Sequence, residues 1–213
     1  MLKNAVIFGD SYSTFKNYIP EGNAVYYSEE DEPQSGLTKV TQTWWHLLAN
    51  EAGLNIVLND SWSGSTIGYT GYDNVDCSRT SSFIHRLNTL KDADFFAKNA
   101  IDTVFVFGGT NDSWADAPLG AVKFDDFQND DLYCVLPAIC YFLMTLKNTL
   151  PDANLYCLIN TELKPEITDC FEKACEKYGV TKIVFDKIDK VNGHPTVQGM
   201  QDIKNTAYKV LNK

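Results

Sequence analysis

The sequence lacks any long apolar run. Its longest, Val135 to Met144, contains Pro137 and falls well short of the ~18 residues that a membrane span requires. Basic charge is scarce as well. Lys and Arg number 18 against 28 Asp and Glu, a formal net charge of -10. A nucleic-acid backbone binder needs a basic stripe to replace counterions, and none is visible. Nucleic acid and anionic membrane surfaces are therefore poor partners. C-x-x-C, H-x-x-H and H-x-x-x-H spacings are missing, which removes the common zinc patterns. Asp125-Asp126 and Asp130-Asp131 lack the glycine of a calcium loop. No metal and no cofactor is expected. No signal peptide is visible: the first apolar run, Ala5-Val6-Ile7-Phe8, is too short for one. A cytoplasmic location is the expectation, or a secreted or periplasmic one had a leader been removed. Six cysteines stand at 77, 134, 140, 157, 170 and 175, most of them in apolar helical or strand contexts, and read as reduced thiols. Internal repeats, low-complexity tracts and Gly/Ser linkers are also missing.

What is present is an ordinary globular balance, 44% hydrophobic and 22% charged over 213 residues. A single domain over residues 1–213 is expected, with a core large enough to need no disulfide or metal. Short β-rich runs recur at Ala5–Phe8, Ile56–Leu58, Thr103–Phe107, Leu155–Ile159 and Lys182–Phe185. Helical patterns fall between them. Trp44–Ala52 stops at Gly53, and Ser82–Leu90 is apolar at helical spacing. Pro137 should kink a helix over Asp131–Leu150 or delay its start. Pro165–Tyr178 stops at Gly179, and Val197–Leu211 closes the chain. Strands alternating with helices predict an α/β fold with a five-stranded parallel sheet covered on both faces. The polar stretch from Tyr12 to Thr41 holds the acidic run Glu29-Glu30-Asp31-Glu32 and reads as a long, solvated surface loop.

Polar clusters follow every strand. They are Gly9-Asp10-Ser11, Asn59 to Ser65, Gly108 to Asp112, Asn160-Thr161-Glu162 and Gly193-His194-Pro195. In open parallel sheets ligands bind beyond the carboxyl ends of the strands, so all five clusters point to one rim. Ser11 reads as a helix cap or as a nucleophile at a strand end. His46 and His85 sit in helical patterns and read as structural. His194 stands between Gly193 and Pro195, where its imidazole could exchange a proton with Ser11. Asn111 reads as a turn residue or as an amide donor to an oxyanion. Gly64 reads as a tight turn or as an N–H donor to the same oxygen. Asp10 should order its loop by accepting backbone N–H groups. Asn59-Asp60-Ser61 and Asn111-Asp112-Ser113 match glycosylation acceptors by chance, since a glycan at either would block this rim.

Taken in order, these blocks resemble the SGNH, or GDSL-type, hydrolase family. Gly9-Asp10-Ser11, Gly64, Gly109-Thr110-Asn111-Asp112 and His194-Pro195 with Gly199 match its four motif blocks across residues 9 to 199. The resemblance implies a flavodoxin-like three-layer α/β/α sandwich and hydrolysis of esters or thioesters without a cofactor. It implies Ser11 as nucleophile, His194 as base, and an oxyanion hole of Ser11, Gly64 and Asn111. One position departs from the pattern. The family's acid three residues before the histidine is Val191 here. Asp189 and Asp186 are the nearest carboxylates, at the wrong spacing, and either could orient the imidazole as a displaced triad acid if the loop bends. A Ser–His dyad with its histidine oriented by a backbone carbonyl is therefore the first expectation.

Tyr12, Trp62, Tyr69, Tyr72 and Trp114, with Glu162, are expected at the substrate rim. Aromatic faces beside polar groups suit sugar rings. Short acyl esters such as O-acetylated carbohydrates are the expected substrates, with lipase, lysophospholipase or thioesterase activity as alternatives within the family. A catalytically impaired module that binds a glycan or phosphate is the alternative of another class. Oligomeric state is not legible.

Overall fold

Alternation along the first strand sets the layers. β1 (Lys3–Gly9) turns Ala5 and Ile7 to one face and Val6 and Phe8 to the other, and all four are buried. β3 (Thr103–Gly108) repeats this with Phe105 and Phe107 against Val104 and Val106. Strands buried on both faces need helices on both. The computed structural model, which describes residues 3–30 and 35–212, has that arrangement. β2 (Leu54–Ser61), β4 (Asn154–Ile159) and β5 (Thr181–Val184) complete a parallel sheet in the order β2-β1-β3-β4-β5. This is the flavodoxin-like order. α1 (Trp44–Ala52) and α7 (Val197–Leu211) cover the Ile7 face. α2 (Phe83–Asp92), α5 (Val135–Thr149) and α6 (Pro165–Tyr178) cover the Phe8 face, and α3 (Phe95–Asn99) adds Phe96 to that core.

Helix limits follow local chemistry. Thr43 caps α1 by accepting from the His46 N–H at 3.4 Å, and Gly53 ends it in the left-handed region. Pro137 delays rather than kinks: α5 begins at Val135, so the proline stands in the first turn, where it breaks no helical hydrogen bond. Asn129–Tyr133 forms a separate 3-10 turn ahead of it.

Two features differ from expectation. Asp31 and Glu32 of the acidic run lie outside the described residues. In the rest of the stretch from 12 to 41, Phe15, Tyr27 and Leu37 are buried, so it is not simply a solvated loop. It folds against the α1 side of the sheet. Second, a hairpin precedes α7: β6 (Lys190–Val191) pairs antiparallel with β7 (His194–Pro195). Its tip is Asn192-Gly193, with φ of 49° and 76°. Positive φ at both positions is the type I′ pattern that suits a two-residue hairpin.

The helices also hold the end of β1. The indole N–H of Trp44 donates to Ser13 Oγ at 3.1 Å, and that of Trp45 to the Ser13 carbonyl at 2.9 Å. Asn59 Nδ2 reaches the same carbonyl at 2.8 Å. On the other face the buried Arg86 guanidinium donates to the carbonyls of Asp60, Gly9 and Ser81 and stands 3.5 Å from the Asp60 carboxylate. Removing that cation strands a buried carboxylate and three carbonyls. Arg86→Met should therefore lower the unfolding free energy in urea by about 3–5 kcal/mol. A loss under about 1 kcal/mol would mean that water replaces the guanidinium.

Candidate active site

Ser11 opens a 3-10 turn, Ser11–Ser13, directly after β1. Asp10 caps the turn by accepting from the Tyr12 N–H at 3.0 Å. As the turn's first residue, Ser11 has no partner for its own N–H within it. Its Oγ lies 3.0 Å from His194 Nε2. On the far side of the ring, Nδ1 lies 3.2 Å from the Asn192 carbonyl. A carbonyl can only accept, so Nδ1 carries the proton and Nε2 turns its lone pair to Ser11. Burial lowers the pKa of His194 below its ordinary value, and the Lys190 charge adds to this against the Asn192 carbonyl. The imidazole is neutral at neutral pH, as a proton acceptor must be.

Asn111 lies in α4 (Thr110–Trp114), immediately beyond β3. Its Nδ2 donates to the Ser65 carbonyl at 2.9 Å, and its Oδ1 accepts from the Tyr72 hydroxyl at 2.9 Å. These two bonds fix the amide plane and use one of its two N–H groups. The buried Asp112 accepts from the N–H groups of Ile67 and Gly68, at 3.0 and 3.4 Å, and so holds the loop after β2. Gly64 is in that loop at φ 81°. A Cβ there would meet nothing, so backbone conformation and not space is what calls for glycine. Beyond β4, Glu162 pairs with Lys190 at 3.1 Å, and Lys190 Nζ also meets Thr161 Oγ1 at 2.7 Å.

Several expected placements need correction. Tyr12 is not at the rim. It is fully buried beneath His194, and its hydroxyl donates to the Gly193 carbonyl, where it supports the hairpin. Tyr69 is buried against Tyr133. Asp189 does not meet the imidazole: its carboxylate accepts from the Thr196 hydroxyl. Asp186 is exposed, in a surface groove with Lys187 and Asp202. Trp62 lines an apolar cavity of about 410 Å³ with Leu58, Leu90 and Phe95, beside the edge strand β2. Trp114 is exposed and meets His194 edge-on at 5.8 Å. The two glycosylation matches fall on buried side chains, Asn59 and Asn111, both engaged in hydrogen bonds. Tyr26, which lies on the His194 ring, and Asn192 carry no expectation in the sequence reading. The Asn-Gly hairpin signal could have located the second; nothing local marks the first.

A family model described as GDSL-like lipase/acylhydrolase matches residues 3–211. Two crystal structures, each of a candidate GDSL-like lipase, are close in sequence and shape. The one from Bacteroides ovatus is 37% identical, covers 100% of this chain and 99% of its own, and has a TM-score of 0.91. The one from Bacteroides uniformis is 40% identical, covers 99% and 96%, and has a TM-score of 0.88. An acetyl xylan esterase of Butyrivibrio proteoclasticus shares the fold at 18% identity, covering 99% of this chain and 63% of its own, with a TM-score of 0.61. No curated protein matches the sequence.

Two carboxylates are buried under the site. Desolvation pushes Asp10 up to about 7 and Asp112 up to about 6. Asp10 Oδ2 has no hydrogen-bond partner among the described residues; the Thr110 hydroxyl is near enough to oppose the shift but lies outside bonding geometry. In the folded chain Asp10 keeps its proton up to about pH 7, while the unfolded chain releases it near the ordinary carboxylate value. Its favourable contribution is therefore full at low pH and is lost as pH rises through that window. Asparagine keeps the capping oxygen without the charge. The stability of Asp10→Asn relative to wild type should rise between about pH 4 and about pH 7 in urea titrations. A difference that does not vary with pH would mean that Asp10 is ionised throughout.

Proposed function

From the premise that the chain belongs to the GDSL-like lipase/acylhydrolase family, we propose that it is a serine ester hydrolase acting on short acyl esters, such as O-acetyl groups of carbohydrates. One observation carries the reading: Ser11 Oγ stands 3.0 Å from a histidine nitrogen whose lone pair faces it. Ser11 attacks the ester carbonyl while His194 takes its proton. The oxyanion is met by the N–H groups of Ser11 and Gly64 and by the free N–H of the Asn111 amide. His194 then gives the proton to the departing alcohol, and water repeats the cycle on the acyl-enzyme.

Three features support the substrate class. Trp114 and Tyr72 are exposed at the site, one beside the base and one on the Asn111 amide, and offer faces to a sugar ring. The acidic balance disfavours an anionic lipid surface. The acetyl xylan esterase of like fold acts on a carbohydrate ester.

The decisive experiment is an ester panel, from acetyl to long acyl chains on sugar and lipid alcohols, run beside Ser11→Ala. Short acyl sugars should turn over fastest, and Ser11→Ala should lose about 10⁴-fold or more. Preference for long acyl chains would make the protein a lipase of the same family. Full activity in Ser11→Ala would end the mechanism.

Asn111→Ala should lower kcat about 10²- to 10³-fold. Tyr72→Phe, which removes one of the two bonds that fix the amide, should cost about tenfold in kcat. A change confined to KM in either would make these residues binding groups instead. The acid limb of kcat/KM reports the loss of neutral His194 as pH falls. Because burial lowers its pKa, that limb should lie below that of an ordinary histidine.

A further inference from the structure

The imidazole of His194 lies flat on the ring of Tyr26, with centroids 3.6 Å apart and planes 7° from parallel. Tyr12 and Trp114 meet the same imidazole at 5.6 and 5.8 Å, at tilts of 53° and 68°. Tyr26 is held in place from both sides. Its N–H donates to Thr14 Oγ1 at 3.0 Å, and that hydroxyl donates to the Ser11 carbonyl at 3.1 Å. Its neighbour Tyr27 packs edge-on against it at 4.8 Å and donates its hydroxyl to the Pro195 carbonyl at 2.9 Å. One dipeptide is thus tied to the nucleophile's turn and to the base's hairpin.

When His194 takes the Ser11 proton, a positive charge forms on a half-buried imidazole. Few groups there can answer it. Lys190 opposes it, although Glu162 offsets that ammonium at 3.1 Å. Tyr12 and Tyr26 are neutral phenols, since burial raises both. Nδ1 meets a carbonyl dipole where a triad would supply a carboxylate. An aromatic face, however, presents the negative part of its quadrupole to a cation above it, and the gain is larger where water is excluded.

We propose that Tyr26 is a positioning residue that supplies part of what the absent carboxylate would: its ring fixes the plane of His194 and stabilises the imidazolium as the proton moves. The proposal rests on the serine hydrolase reading. It also explains why the ring is parallel and not edge-on. Only a face-on ring offers its negative surface to the charge without competing for either nitrogen.

Leucine covers the same face of the imidazole without a quadrupole, so it separates charge from packing. On the best ester of the panel, Tyr26→Leu should lower kcat about tenfold, with KM nearly unchanged. With the imidazolium less stable, the acid limb of kcat/KM should move about 0.5–1 unit lower. Tyr26→Phe keeps the face and should match wild type in both readouts. A rise in KM at unchanged kcat would make Tyr26 a substrate subsite and overturn the proposal. A fall in kcat with the limb unmoved, or moved higher, would make it packing alone and do the same. If Tyr26→Leu does not give a cooperative thermal transition, Tyr26→Trp decides. An acid limb at or above that of wild type supports the proposal, and a lower one overturns it. Ser11→Ala in the same assay separates the two levels. Loss of turnover there with an unaffected Tyr26→Leu removes only the role of Tyr26, whereas full turnover in Ser11→Ala removes the hydrolase reading itself.

Discussion

Two tyrosine hydroxyls hold the backbone on either side of His194. Tyr12 donates to the Gly193 carbonyl and Tyr27 to the Pro195 carbonyl. Both rings are fully buried, and the Tyr27 bond is made away from competing water. The hairpin they hold has two-residue strands, too short to be stable by itself. Its order is borrowed from the sheet below through these side chains. The tip adds its own restriction: at Gly193, with φ 76°, a Cβ would come within 2.8 Å of the Trp114 ring. The position of the imidazole follows from these contacts, and so does its distance from Ser11.

Beneath the rim, the same logic is carried by charge. Arg86 gathers carbonyls from the ends of β1 and β2, and Asp112 gathers N–H groups from the loop that carries Gly64. Buried ions are costly unless each is met by partners, and here the partners are backbone groups of the loops that must be aimed. Asp10 is the less satisfied member, with one oxygen on the Tyr12 N–H and the other unpaired. Desolvation by burial is the main cause of its raised pKa, and the unpaired oxygen leaves little to offset it. Asp10 stands one residue from Ser11, with its bonded oxygen on the Tyr12 N–H, while the His194 nitrogens meet Ser11 and the Asn192 carbonyl.

Much of this is legible in the sequence because it is local. The limits of Trp44–Ala52, Pro165–Tyr178 and Val197–Leu211 follow from caps, a proline and terminal glycines, and the structure has the same limits. Ser11, Asn111 and His194 stand out because each polar residue follows an apolar strand or a glycine hinge. Tyr26 does not, since the stretch around it has no period and its partner is far away in sequence. Tyr12 misleads for a related reason: an aromatic after a serine looks the same whether it faces the rim or the core. Val191 shows that a carboxylate is missing from its usual place. What stands at Nδ1 instead is a main-chain carbonyl, and every residue has one, so composition cannot mark it.

The Ser11–His194 contact spans 183 positions of the chain. A contact of that range forms only after a large loop has closed, which makes it a late event in folding. During synthesis the turn bearing the hydroxyl leaves the ribosome well before the hairpin bearing the imidazole. Until the hairpin has emerged, then, the growing chain holds the Ser11 hydroxyl without its partner imidazole. The pairing of hydroxyl and imidazole arises in one step, when the hairpin docks, and not gradually along the way.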